Sequence, residues 1–438
     1  MYRFAQEQVE KWIAASRRKP LIVRGARQVG KTWLVEHVAA SKFETMVKID
    51  LEKRRDLHVH FSDNLDPAII VQHLEVDSGR RIVPGRALLF LDEIQACPRA
   101  IMALRYFHEQ MPALHVIAAG SLLEFALGEI SVPVGRVQYL HLYPMTFREY
   151  LLGIGNEVAA ETAARHPSEV DAGIQRQLLQ ELKTYFFVGG MPESVQVYSD
   201  TQSLVESFKA QTEVTSAYRE DFVKYTPRVD RACLDSVLLN VARQIGEQVK
   251  YTRLNDSHTG PTNRRAFDLL CKARVIHKIA SCNPSGLPLG ATANDKRFKA
   301  ALLDIGLLQN LCQVPVELEF RQDDLLAMYR GKLAEQFVAQ ELIANHTGEL
   351  FYWAREARSS NAEVDYLAVR EGRIVPIEVK SGGGGSLRSL HLMLETYSHC
   401  PEGIVLYSGI YAHRPEQRLT FMPLYYAGSI GDSRRDMV

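Results

Sequence analysis

No two cysteines in this chain stand at C-x-x-C spacing, and its six (Cys97, Cys233, Cys271, Cys282, Cys312, Cys400) are scattered without the histidine spacing of a zinc site. A zinc module and a disulfide framework are therefore excluded, and reduced thiols in a cytoplasmic protein are expected. Net charge is missing too. Lys+Arg and Asp+Glu both total 52, so no global field draws the chain to nucleic acid, and any such contact has to come from a local patch. No apolar run is long enough to cross a bilayer, and residues 1–18 mix charged with apolar side chains, so neither a membrane span nor a signal peptide is expected. What the chain does have is 438 residues, 46% of them hydrophobic, enough for about three domains with real cores.

The most informative stretch is Gly25-Ala26-Arg27-Gln28-Val29-Gly30-Lys31-Thr32, a Walker A pattern. It follows the apolar run Leu21-Ile22-Val23 and precedes a helical pattern that opens with Trp33, so the loop joins a strand to a helix start. Phosphate binding needs that arrangement. Backbone N–H groups and the positive end of the helix face the phosphates, Gly25 and Gly30 allow close approach, Lys31 reaches the β/γ oxygens and Thr32 coordinates Mg²⁺. ATP and Mg²⁺ are thus the expected cofactors.

Residues Arg3 to Ala15 read as an amphipathic helix packed beside the nucleotide, and Phe43 to Leu51 as a second strand. Ala87-Leu88-Leu89-Phe90-Leu91-Asp92-Glu93 is a buried, parallel-type strand ending in two acids, a Walker B pattern. Asp92 is expected to hold the Mg²⁺ through water and Glu93 to orient the attacking water. After the strand Leu114–Ala119, Ser121 reads either as a sensor of the γ-phosphate or as the N-cap of a helix over Leu122–Leu127. Arg136, in the loop at Val134-Gly135-Arg136, reads either as an arginine finger, worth about 10³–10⁵ in rate, or as a solvated side chain.

Thr146 and Glu149 form a capping box, and a helical region runs from there to about Tyr225, broken at Gly189-Gly190-Met191-Pro192. The Walker A and B sequences, the Ala-Gly-Ser strand end at 119–121, Pro144-Met145-Thr146-Phe147-Arg148-Glu149-Tyr150 and Gly189-Gly190-Met191-Pro192-Glu193 together resemble a large family of bacterial and archaeal AAA-type ATPases. The resemblance covers nearly the whole chain. It implies an α/β fold with a P-loop AAA-type core over 1–150, a helical lid over 151–228, a winged helix-turn-helix segment over 229–312, and a small mixed α/β domain of PD-(D/E)XK, restriction-endonuclease-like type over 313–438.

In the middle segment, Leu234–Gln244, Val249–Thr252 and Thr262–Ala273 read as helix, short strand and helix, followed by a strand at Val275–Ile279. Arg264, Arg265 and Lys272 gather on the would-be recognition helix, where DNA contacts are made. The alternative is a solvated helix face, since Asp256 and Asp268 lie nearby. Asp304, in Leu302-Leu303-Asp304-Ile305-Gly306-Leu307, matches the family signature without suggesting a chemistry.

After a linker at Gln313–Asp324, Glu335 lies on an apolar helical stripe with Val338, Ala339 and Leu342, a costly place for a carboxylate that lacks a metal, proton or partner. Asp365 and Glu378 fall on neighbouring strands of one hairpin, and Lys380 shares a face with Glu378. This is the Asp…Glu-x-Lys pattern of the nuclease fold, although Val364 replaces the usual proline. Asp365, Glu378 and Glu335 would bind metal while Lys380 orients the nucleophile. The same pattern also arises as a solvated cross-strand charge cluster. Gly382-Gly383-Gly384-Gly385-Ser386 reads as a flexible linker beside it. The expected function is ATP turnover that regulates DNA binding, with possible phosphodiester cleavage. A non-cutting DNA-binding regulator and an ATP-driven protein-interaction switch are the alternatives, and a homo-oligomer is compatible with each.

Overall fold

The computed structural model describes residues 1–62, 64–121, 123, 135–222, 229–315, 330–345, 348–355, 362–380 and 386–430. Most of the 122–127 helix, most of the 313–324 linker and the glycine run at 382–385 lie outside them. The chain divides into two compact units: Met1–Tyr143 with Lys272–Arg274, and Pro144–Cys271 with Val275–Val438.

The first unit is built on five parallel strands, β1 (Leu21–Arg24), β2 (Thr45–Asp50), β3 (Ala87–Asp92), β4 (His115–Gly120) and β5 (Gln138–His141), in the order β2-β3-β4-β1-β5. Every residue of β3 and β4 is buried, as expected for strands covered on both faces. Leu89, Leu91, Val116 and Ala118 pack with Ile101, Leu104 and Phe107 of the Pro98–Gln110 helix. The amino-terminal helix spans Ala5–Ala14 and buries Val9 and Trp12. Arg3, just before it, donates to Val29 O at 2.8 Å and Tyr143 O at 2.6 Å, which ties the helix to the P-loop.

The second unit begins with helices over Phe147–Gly153, Glu157–Thr162, Ala172–Val188, Pro192–Thr201, Leu204–Asp221, Arg231–Arg243 and Gly260–Lys272. Eight strands follow: β6 (Ile276–Ser281), β7 (Asn294–Leu302), β8 (Phe351–Ala354), β9 (Glu363–Arg370), β10 (Arg373–Val379), β11 (Gly403–Tyr407), β12 (Ala412–Arg414) and β13 (Leu419–Pro423). They form one sheet in the order β12-β13-β11-β10-β9-β8-β6-β7. The hairpin β6/β7 of the middle segment is thus continuous with the C-terminal strands, through Ala280↔Phe351 and Ser281↔Tyr352. Pairing with β8 covers a hairpin edge that would otherwise present unpaired N–H and C=O groups. The short strand expected at Val249–Thr252 is instead a 3₁₀ turn at Tyr251–Arg253, and only Val249 N bonds the sheet, at 2.9 Å from Phe298 O.

Two of the segments that carried the family resemblance, 144–150 and 189–193, meet in one buried polar network of the second unit. The Thr146–Glu149 capping box is present. Met145 N donates to Gly190 O at 2.6 Å, Tyr185 Oη to Met145 O at 2.6 Å, and Gln340 Nε2, from the Arg330–Asn345 helix, to Tyr185 Oη at 2.8 Å. Asp304 caps the Ile305–Leu311 helix through Leu307 N at 3.0 Å and also accepts from Gly190 N at 2.6 Å. Burial pushes its carboxyl above the usual range against the pull of those N–H donors. Glu341, which accepts from Phe147 N at 2.8 Å, is pushed by burial up to about 8. Asp304 therefore has a structural role: it joins the Gly189-Gly190 turn, the hairpin's exit and the Arg330–Asn345 helix.

Candidate functional site

Parallel strands deliver their functional groups at their carboxyl ends. The loop after β1 carries Gly25 (φ +155°), Gln28 (φ +60°) and Gly30 (φ +92°). A Cβ on Gly25 would lie 2.2 Å from Leu142 O, so only glycine fits there. Lys31 and Thr32 open the Lys31–Lys42 helix, with Gly30 as its N-cap. The Lys31 ammonium donates to Ala26 O at 2.7 Å and Gly25 O at 3.1 Å, so it lies over the loop backbone. Trp33 is exposed and stacks on His37 with centroids 4.5 Å apart.

Thr32 Oγ1 donates to Asp92 Oδ2 at 2.9 Å. This joins the Walker A helix to the end of β3, and a threonine hydroxyl and a carboxylate are the donors that Mg²⁺ takes. Burial raises the Asp92 pKa while the Thr32 bond and Lys48 oppose the rise. Lys48, on β2, lies 3.4 Å from Asp92 and 2.8 Å from Glu36. Glu93 adopts φ +47°, and its Oε2 accepts from Gln95 Nε2 at 2.5 Å and Ser121 Oγ at 3.5 Å. A Cβ on Gly120 would come 2.3 Å from Gln95 Oε1, so the glycine leaves room for the residue that holds Glu93. Lys48, Gln95 and Arg3 were not singled out from sequence. The role of Lys48 depends on a strand neighbour and that of Arg3 on contacts far along the chain, whereas Gln95 lies two residues after Glu93.

Arg136 does not join this group. β5 runs parallel to β1 with Leu21↔Gln138 and Arg24↔His141, so Arg136 lies at the amino edge of the sheet while the P-loop leaves the carboxyl edge. At about 3.3 Å per residue the two are on the order of 15 Å apart. Arg136 pairs with Glu109 at 2.5 Å, and its side chain is 43% exposed. The finger reading within one chain is corrected accordingly: the strand register puts the guanidinium out of reach of its own P-loop.

In the second unit, Glu335 lies 19% exposed beside the buried Val338, Ala339 and Leu342. Glu363 and Asp365 share a face of β9, and Glu378 lies on β10. Glu335, Glu363 and Asp365 converge on a residue that sequence reasoning missed, Lys299 of β7. Its Nζ lies 2.5 Å from Glu363, 3.4 Å from Glu335 and 3.5 Å from Asp365, and its side chain is 3% exposed. Burial would lower the Lys299 pKa, but Asp365, Glu335 and Glu363 overturn that and hold it well above the ordinary lysine value. Asp365 Oδ2 accepts from Val379 N at 2.9 Å, and Lys380 Nζ donates to Glu378 Oε1 at 2.7 Å. Glu378 Oε2 is buried with no hydrogen-bond partner. Burial and the neighbouring Asp365 push Glu335 up to about 8 and Glu378 up to about 7. Among the described residues no group of three or more His, Cys, Asp or Glu side chains is arranged to hold a metal ion. Of the expected metal set of Glu335, Asp365 and Glu378, the first two thus share an ammonium.

Arg264, Arg265 and Lys272 are all exposed on the Gly260–Lys272 helix. Arg265 and Lys272 lie two turns apart on one side. Arg264 approaches Asp268 at 3.7 Å.

Residues 17–151 match the family model described as an AAA domain. That match covers most of the N-terminal unit. Beyond the AAA domain, residues 179–318 and 330–427 match two domains of unknown function, DUF8612 and DUF4143. An uncharacterized protein of Methanocaldococcus jannaschii is 26% identical over 301 residues, which cover 64% of this chain and 60% of the relative. The chain thus spans about 60% of the length of that curated relative. Among solved structures, the Walker-type ATPase of Pyrococcus abyssi aligns with 70% of this chain and 94% of its own, at 13% identity and a TM-score of 0.45. The Aeropyrum pernix ORC1 protein in complex with DNA aligns with 72% and 91%, at 14% identity and a TM-score of 0.26. Thermotoga maritima RuvB aligns with 64% and 89%, at 15% identity and a TM-score of 0.28. No helix among the described residues is long and apolar enough to cross a membrane.

Proposed function

We propose that this chain is a cytoplasmic, Mg²⁺-dependent ATPase whose nucleotide state governs engagement of DNA. The observation that carries the reading is the Thr32–Asp92 hydrogen bond of 2.9 Å at the mouth of the P-loop. Thr32 and Asp92 would hold Mg²⁺, which when bound neutralises charge on the β- and γ-phosphates. The loop N–H groups and Lys31 bind the triphosphate, and Glu93 takes up a proton from the attacking water. Gln95 and Ser121 orient Glu93, so Ser121 reads as a sensor. Glu93→Gln is expected to leave nucleotide affinity within about threefold while phosphate release falls at least about 100-fold. Equal loss of binding and turnover would remove Glu93 from that role. Arg136, exposed at the far edge of the sheet, would serve only the nucleotide of a second copy, so the reading includes a homo-oligomer.

The DNA part of the proposal rests on the exposed Arg264, Arg265 and Lys272. With Arg264→Ala plus Arg265→Ala, duplex binding should weaken uniformly across sequences. The slope of log affinity against log salt should shrink by about 2, since each phosphate contact contributes about 0.9. A parent protein without salt-dependent DNA binding would instead support a protein-interaction switch. Metal-dependent cleavage by Asp365, Glu378 and Lys380 is the second activity that the hairpin pattern suggests. The position of Lys299 favours the non-cutting regulator over it.

A further inference from the structure

We infer that the C-terminal carboxylate cluster carries its cation within the chain: the Lys299 ammonium stands where a nuclease-type site would hold a divalent metal, so this cluster does not cut polynucleotide. The inference rests on the DNA reading above for its partner, but not for its chemistry. An ammonium offers three N–H donors, and Lys299 meets three carboxylates, from the Arg330–Asn345 helix and from β9. Both Asp365 oxygens are engaged, Oδ1 by Lys299 and Oδ2 by the Val379 N–H. One oxygen of Glu378 is engaged by Lys380. A divalent ion entering here would meet a buried positive charge already paired with Glu335, Glu363 and Asp365. The partnerless Glu378 Oε2 points the other way, but it lies beside the Lys380 ammonium that holds the other oxygen of the same carboxylate.

The test uses the full-length chain carrying Asp92→Asn, which disables the nucleotide-site acid, without nucleotide. Mn²⁺ is titrated in while the electron paramagnetic resonance signal of the free ion is followed. This protein is expected to leave Mn²⁺ free. Adding Lys299→Ala should create one bound Mn²⁺ per chain, at least about tenfold tighter than the background, because the same carboxylates then lack their cation. Adding Asp365→Asn should abolish that binding. The inference is overturned if the Asp92→Asn chain already binds one Mn²⁺ that Asp365→Asn removes, or if a folded Lys299→Ala chain binds none. Should Lys299→Ala not fold by circular dichroism, the Asp92→Asn titration decides alone. DNA nicking by the unmodified chain with Mn²⁺, lost on Asp365→Asn, would also overturn it. Failure of the chain to bind DNA at all would defeat the proposed function and leave the metal result standing.

Discussion

Gly190→Ala is expected to destabilise the second unit by about 4 kcal/mol or more, at the upper end of what single substitutions do. A Cβ at Gly190 would lie 2.1 Å from Met145 O and 2.9 Å from Met145 N. These are backbone atoms, which a rotamer change cannot move aside. The same backbone supplies the 2.6 Å bond from Met145 N to Gly190 O, and Gly190 N donates to Asp304. A shift that relieves the clash therefore breaks a strand of the buried network, and each buried group left unpaired costs about 1–3 kcal/mol. Thermal unfolding followed by circular dichroism should show the second unit melting about 10 °C lower. Gly286→Ala, where a Cβ meets nothing within 4 Å, should be neutral. Equal, small effects at both glycines would show that the turn tolerates a side chain and that the network is not what holds it.

Local chemistry was legible in the sequence and long-range convergence was not. The P-loop could be read because its chemistry needs consecutive residues, and the Thr146–Glu149 capping box because a helix start is set within one turn. Lys299 could not be found this way: it lies 36 residues from Glu335 and 66 from Asp365, and only the shared sheet brings β7 to them. Glu335 did give a signal, as a carboxylate inside an apolar stripe, but its partner is an ammonium where a metal was expected. Arg136 stayed open between a finger and a solvated side chain because a loop arginine does not reveal which edge of a parallel sheet it borders, which the β1/β5 register decides. The continuity of β6 with β8 was equally hidden, since sheet edges are closed by residues far apart in sequence.

Lys31→Ala is expected to have the largest effect on function. The lysine is buried at the loop with its ammonium over two loop carbonyls, and no other described side chain occupies that place at the start of the Lys31–Lys42 helix. Removing it would take away the charge proposed to meet the β- and γ-phosphates. A charge-assisted contact of this kind contributes about 1.5–3 kcal/mol to binding, which is roughly 10- to 100-fold in affinity. Its part in stabilising the transferred phosphoryl group adds to that loss, so ATP turnover should fall to background. The binding term alone is enough for a decisive measurement. Isothermal titration calorimetry of the intact chain with Mg²⁺ and a non-hydrolysable ATP analogue should give one site per chain, and the Lys31→Ala protein, folded by circular dichroism, should bind at least about tenfold more weakly. An intact chain that releases no heat, or whose binding is unchanged by Lys31→Ala, would contradict the assignment of this loop as the nucleotide site.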